Sequence, residues 1–370
     1  MSALAARMTR VRSAMTAHGV DALLLSLGAD LPWLTGYEAM PLERLTMFVL
    51  PADGDATMVV PRLEAPRVHD DPSVFSVRAW EETEDPYRIV AGLVGRRRSL
   101  AVSDRAWAGA LLRLQAELPG AHWQVASVLT GPIRAVKDED EVACLRAASS
   151  AADRVAVQLQ AGEIPLVGRT EAEVSRDISD RLRAEGHRRV NFAIVGSGPN
   201  SASPHHEPGG RVIGPGEMVV CDFGGVLAIE EDAPGYCSDI TRTVVTGEPT
   251  AEMKELYDVL EDAQARAVAA ATTGTACEEV DAAARLPIAD AGYGAYFIHR
   301  TGHGIGLEEH EDPYVVAGNR TPLRPGHAFS VEPGIYLPGR FGARLEDIVV
   351  ATPSGPESLN RADHGLAVVA

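Results

Sequence analysis

The sequence predicts an α/β domain over residues 1–131 followed by an α+β domain over residues 132–370. Three observations carry that reading. At 370 residues the chain is longer than one ordinary hydrophobic core. Through the first domain, short apolar runs alternate with helical patterns. Beyond it, helical patterns come in pairs, each pair followed by strand-like segments, which predicts two similar αβ units.

Taken in order, residues 7–18 carry helical periodicity that stops near Gly19, and Ala22-Leu23-Leu24-Leu25-Ser26 is the apolar run of a buried strand. Residues 47–50 and 57–60 are two further strands separated by the turn Pro51-Ala52-Asp53-Gly54. Helical patterns at 84–94 and 107–117 enclose a strand at 99–102. Gly131-Pro132-Ile133-Arg134 breaks the pattern and marks the domain boundary. A long helix over 138–159 opens on acidic residues, as suits a helix N-terminus. The capping box Thr170-Glu171-Ala172-Glu173 starts a second helix that reaches Gly186. A strand at 191–196 and a hairpin built from 218–223 and 238–245 come next. Helices over 251–271 and 277–291 lead to strands at 328–332 and 343–350.

The balance of 34 Lys+Arg against 52 Asp+Glu gives a net charge of −18. Such a field repels phosphate backbones and anionic lipid, which argues against nucleic acid and membrane partners. No run approaches the ~18 consecutive apolar residues of a spanning helix, and residues 1–8 lack the apolar core of a secretory signal. Cys144, Cys221, Cys237 and Cys277 form no CxxC pair, as expected of a cytoplasmic protein.

Five residues in the second domain read as the ligand set of a two-metal hydrolase. They are Asp222 in Cys-Asp-Phe-Gly-Gly, Asp239 in Ser-Asp-Ile-Thr-Arg-Thr, His303 in Thr-Gly-His-Gly-Ile-Gly, Glu332 in Val-Glu-Pro-Gly, and Glu346 in Ala-Arg-Leu-Glu-Asp. One strand aspartate is ordinarily solvated or capping, and a lone Gly-His-Gly is ordinarily a turn. Five such residues in these frames call for another reading. Four converging carboxylates repel one another unless cations sit between them, and an oxygen-rich set with one imidazole suits Mn²⁺, Co²⁺ or Zn²⁺. Two nearby cations would make a water nucleophilic near neutral pH. Asp222 and Asp239 are expected to face each other across the hairpin, Glu332 and Glu346 to lie on neighbouring strands, and His303 to occupy a glycine-flanked loop. Cys221 and Cys237 are read as small buried hydrophobes rather than ligands.

These motifs resemble the metallopeptidase family that contains methionine aminopeptidase, aminopeptidase P and prolidase. The resemblance covers about residues 134–355 and implies a pita-bread catalytic domain with pseudo-twofold symmetry, preceded by a creatinase-type N-terminal domain. It implies that Asp222 holds one metal, His303 with Glu332 the other, and that Asp239 and Glu346 bridge the two. The spacing of 14 residues between Glu332 and Glu346 matches prolidases. The resemblance further implies substrate-site roles for His205 and His310, with His206 beside them, and a homodimer. Glu332 is placed to act as general base or acid as well as ligand. Arg344, two residues before Glu346, shares its strand face and either clamps a substrate carboxylate or orders the carboxylate shell. Thr241, Arg242 and Tyr336 are expected to support the ligands.

One departure bears on substrate range. Asp239 follows Asp222 by 17 residues, further than is usual in the family. The added length falls around 227–234, at the hairpin tip, where insertions are well tolerated. The expected activity is metal-dependent hydrolysis of Xaa-Pro bonds in dipeptides, with Xaa-Pro aminopeptidase action on longer peptides as the alternative. A metal-independent amidinohydrolase or a non-enzymatic binding module of the same fold would have lost the carboxylate ligands, which are all present.

Overall fold

The computed structural model describes residues 3–69, 71, 74–230 and 233–369. The chain divides into two units at Arg134/Ala135.

The first unit is a six-stranded mixed sheet in the order β4-β3-β2-β1-β5-β6. Its strands are β1 (Ala22–Leu25), β2 (Met47–Pro51), β3 (Ala56–Pro61), β4 (Phe75–Trp80), β5 (Ser99–Val102) and β6 (His122–Val125). The helices are α1 (Ala3–His18), α2 (Asp30–Thr35), α3 (Pro86–Val94), α4 (Ala108–Glu117) and α5 (Ser127–Arg134). Val49, Val59, Leu100 and Val102 of the sheet pack with Val90, Val94 and Leu114 of α3 and α4. The strands that sequence reading omits are the two edges, β4 and β6, whose residues are mostly half-buried or exposed and so give weak patterns. The segment read as a breaker, Gly131-Pro132, lies inside α5. Buried Leu129 and Thr130, with a 2.9 Å ion pair from Arg134 to Asp30, hold this turn despite the missing proline N–H.

Among its described residues the second unit has four α-helices, α6 (Glu139–Gln160), α7 (Glu171–Ala184), α8 (Ala251–Ala270) and α9 (Cys277–Asp290). Asp138 and Thr170 close capping boxes at the starts of α6 and α7. The first helix pair backs a sheet ordered β17-β9-β8-β7, built from β7 (Arg189–Ser197), β8 (Met218–Leu227), β9 (Tyr236–Thr246) and β17 (Ala367–Val369). The second pair backs a sheet ordered β11-β10-β12-β15-β16. Its strands are β10 (Gly302–Gly304), β11 (Glu311–Val315), β12 (Ala328–Val331), β15 (Asp347–Thr352) and β16 (Gly355–Ser358). A two-stranded ribbon pairs β13 (Gly334–Leu337) with β14 (Phe341–Arg344).

Each helix pair has its own core. Val155, Leu159, Val174 and Ile178 pack with Cys221, Phe223, Ile240 and Val244 in the first. Leu256, Leu260, Val280 and Ile288 pack with Phe329, Val331 and Val349 in the second. Because strand residues alternate between faces, seating Cys221 and Phe223 against helices turns Asp222 the other way, and seating Ile240 does the same for Asp239 and Thr241. This is the pita-bread arrangement, two helix-backed αβ halves with their polar faces left for chemistry. Glu231 and Asp232, within the lengthened segment, lie outside the described residues; β8 and β9 pair as far as Leu227 and Tyr236.

Candidate metal centre

Asp222, Asp239, His303, Glu332 and Glu346 all line one cavity of about 700 Å³. Asp239, His303 and Glu346 each offer a ligand atom within 4.8 Å of the others. His303 Nε2 lies 3.2 Å from Glu332 Oε1 and 3.8 Å from Asp239 Oδ2. Its other nitrogen, Nδ1, is 3.1 Å from the Gly304 carbonyl. Donating from Nδ1 there would free the Nε2 lone pair for a metal, while a protonated imidazole donates from Nε2 to Glu332.

Three local placements differ from the sequence reading. Asp222 is opposite Thr241 in the β8–β9 register, and Asp239 is opposite Gly224. The two aspartates are therefore diagonal neighbours on one face, not a facing pair. His303 sits in β10, not in a loop. Its flanking glycines make room for neighbouring backbone: a Cβ on Gly302 would lie 1.8 Å from the Ser330 carbonyl, and one on Gly304 would lie 2.2 Å from that of Asp312. Finally, the strand read over 343–350 is two strands. β14 ends at Arg344 and β15 begins at Asp347, with Glu346 bridged to Thr241 in the gap. Glu332 likewise stands one residue past the end of β12.

Hydrogen bonds hold the carboxylates in place. Thr241 Oγ1 donates to Glu346 Oε2 at 2.7 Å and accepts from Arg344 Nε at 3.0 Å. Ser330 Oγ donates to Glu332 Oε1 and accepts from the His303 amide. Arg344 is buried, and its remaining contacts run to the Pro204 carbonyl, Tyr336 Oη and Asp222 Oδ2, the last at 2.5 Å. That geometry favours the ordering role for Arg344 over a carboxylate clamp. Arg242 is fully buried and ion-paired to equally buried Asp347. Its guanidinium also donates to the carbonyls of Thr241, Glu346, Ala362 and Asp363.

The electrostatics ask for cations. Burial, together with the charges of Glu346, Asp222 and Glu332, pushes the Asp239 carboxyl well above its ordinary range. Burial and the charges of Glu332 and Asp222 do the same to Glu346. Burial also raises Asp222, against the pull of Arg344. Burial opposes ionisation of Glu332 too, but the hydrogen bond to His303 and nearby positive charge outweigh it and hold that carboxyl at about 2. Asp222 Oδ1 is buried with no hydrogen-bond partner among the described residues. An orphaned carboxylate oxygen beside mutually repelling carboxylates fits a divalent metal centre.

His205 and His310 are exposed and line the cavity. The His310 ring lies 4.0 Å from that of His303, centroid to centroid. Desolvation, reinforced by His303 and Arg300, lowers His310 to about 4, so it is neutral near pH 7. His206 turns away: its Nε2 is 2.8 Å from fully buried Glu171, which also accepts from Ser197 and Asn200 and so anchors the turn that carries His205. Sequence reasoning missed His299 and Arg300, which also line the cavity. His299 Nε2 is 2.9 Å from Tyr336 Oη. The available signal was their position four and three residues ahead of His303.

Residues 143–353 match metallopeptidase family M24, and residues 7–136 match the creatinase/prolidase N-terminal domain. The chain belongs to metallopeptidase family M24. It is 44% identical over 369 residues to the probable dipeptidase PepE of Mycobacterium tuberculosis, covering 98% of this chain and 96% of that one. The crystal structure of dipeptidase PepE from Mycobacterium ulcerans superposes with a TM-score of 0.91 at 45% identity, over 99% of this chain and 98% of the other. A prolidase from Thermococcus sibiricus superposes at 0.90 with 35% identity, over 97% of each chain. As a member of M24 this chain is a metallo-exopeptidase, and the family implies divalent metal ions. No helix among the described residues is long and apolar enough to cross a membrane.

Proposed function

We propose that this chain hydrolyses Xaa-Pro bonds in dipeptides with two divalent ions held by Asp222, Asp239, His303, Glu332 and Glu346. The observation that carries the proposal is the convergence of these five side chains on one cavity wall, with Asp222 Oδ1 unpartnered. Dipeptide and Xaa-Pro preference draws support from the relatives, named dipeptidase and prolidase, and from a cavity of small-molecule size. Asp222 would hold one ion, His303 and Glu332 the other, and Asp239 and Glu346 would serve both. A bound metal pair would supply Lewis acidity and a nucleophilic water at neutral pH.

The chain's own groups do the rest. Glu332, ionised at physiological pH, accepts the proton of the attacking water and passes it to the leaving amine. Arg300 Nη2 lies 3.4 Å from His310 Nδ1. With that nitrogen as acceptor, His310 Nε2 carries the proton and donates to the developing oxyanion. His205 lines the same chamber and contacts substrate. Mn²⁺ is the preferred ion on donor chemistry, the protein acts in the cytoplasm, and it assembles as a homodimer.

The test is metal-stripped protein restored with Mn²⁺, Co²⁺ or Zn²⁺ and given Met-Pro, Ala-Pro-Ala and Met-Ala-Ser. Met-Pro should be cleaved fastest. Preference for Ala-Pro-Ala would reassign the chain as an aminopeptidase, and no cleavage with any metal would refute the reading. His310→Ala should keep its metal yet lose turnover.

A further inference from the structure

The cavity is acidic where the proposed ligands converge, yet every unmodified peptide carries at least one carboxylate. Two guanidinium groups line it, those of Arg344 and Arg300. Arg344 is committed: Nε, Nη1 and Nη2 are bonded to Thr241, Pro204, Tyr336 and Asp222, and its charge is already matched by a carboxylate. Arg300 is not. Its guanidinium carbon stacks 4.5 Å from the centre of the Tyr314 ring, and among the described residues the guanidinium's one hydrogen-bonding contact is the long one to His310. Among the described residues it forms no ion pair, whereas nearby Arg285 and Arg340 are paired to Asp281 and Glu252.

We propose that Arg300 is the anion receptor of the cavity, taking a carboxylate of the peptide substrate on the free edge of its guanidinium. The inference rests on the peptidase reading above. Stacking on Tyr314 fixes the plane of the fork while leaving its N–H edge available, the geometry that suits bidentate carboxylate binding. Position agrees. Arg300 contacts His310, whose ring lies against that of His303, so the guanidinium stands one side chain out from a proposed ligand. A residue of extended peptide spans only ~3.3–3.6 Å, so a carboxylate one residue beyond the scissile bond falls within this range. Charge agrees too: Arg344 is already matched by Asp222, so the Arg300 guanidinium, unpaired among the described residues, gives a substrate anion a favourable place in the cavity. The carboxylate comes either from the free C-terminus of a dipeptide or from an acidic side chain on the substrate.

Steady-state kinetics of the full-length, Mn²⁺-loaded wild type, Arg300→Ala and Arg300→Lys on Leu-Pro, Leu-Pro amide and Glu-Pro test this and separate the two sources. If the C-terminus is the ligand, Arg300→Ala raises KM for Leu-Pro and Glu-Pro by roughly 10- to 100-fold, the worth of one charge-assisted contact. The KM for the amide then changes far less, any loss of kcat transmitted through His310 is shared by all three substrates, and Arg300→Lys recovers part of the KM loss. A loss confined to Glu-Pro upholds the receptor with a side-chain carboxylate as its ligand. Equal losses on all three substrates, or none, overturn the proposal and leave Arg300 as a positioning residue for His310. A wild type that cleaves none of the three sinks the peptidase reading itself, a result distinct from either.

Discussion

The two halves of the catalytic unit present their proposed metal ligands by different means. In the β8–β9 half, Asp222 and Asp239 stand within a long regular ladder, and strand alternation alone aims them away from the helices. In the β10–β12–β15 half the ladder is short. His303 occupies a three-residue strand, while Glu332 and Glu346 stand just beyond strand ends. There, close backbone approach and specific side-chain hydrogen bonds replace periodicity. One half places its proposed ligands by pattern, the other by exceptions to pattern.

The strongest way to break this contrast is to remove a residue assigned to both ions. Asp239→Asn and Glu346→Gln, one from each half, should both strip metal, measured by elemental analysis. Activity should fall by more than the roughly 10- to 100-fold typical of losing an outer-shell partner. If only one of them matters, the shared roles are wrong. Next is the core behind each half. Phe223→Ala removes a fully buried ring from the hairpin's helix-facing side and should cost about 3–5 kcal/mol in denaturant unfolding. Gly302→Ala forces a methyl against the Ser330 carbonyl in the other half and should cost about 1–3 kcal/mol. Metal content should suffer more in the glycine variant, because the strain falls on the strand that carries His303.

Smaller still is the pH effect. Burial, with the charges of Lys137 and Arg324, lowers His327 to about 4, and burial lowers His187 behind the hairpin. The unfolded chain protonates these imidazoles near 6.5, while the folded chain resists. For His327 the unfolded state binds more protons between those values, so its contribution to stability is full above pH 6.5 and lost as pH falls through about 4, and His187 acts in the same direction. Denaturation midpoints at pH 7.5, 6 and 5 should decline in that order, and His327→Gln should flatten part of the decline.

The same contrast explains what was legible in the sequence. The hairpin strands, the capped helices α6 and α7 and the six-stranded sheet's inner strands announce themselves through periodicity and capping residues. The five proposed ligands could be picked out by their frames, and they do share one cavity. The diagonal offset of Asp222 and Asp239 depends on hairpin register, which a lengthened tip hides. The break at Leu345-Glu346 depends on which partner each strand finds, information that resides in β12 and β13. Arg344 lay on a readable strand, but its commitment to Asp222 is a contact 122 residues away in sequence. Arg300 and His299 carried only proximity to His303.

Arg242 has a consequence for motion. All five N–H groups of its guanidinium are placed by acceptors in residues 241, 346, 347, 362 and 363. Opening the seam between β9 and β15 would therefore break several buried bonds at once and strand a charge. Local breathing there is suppressed, and the amides of Ile348 and Thr243 should exchange with solvent deuterium only through global unfolding. A seam clasped in this way should hold Thr241 and Glu346 in fixed register whether or not substrate is bound.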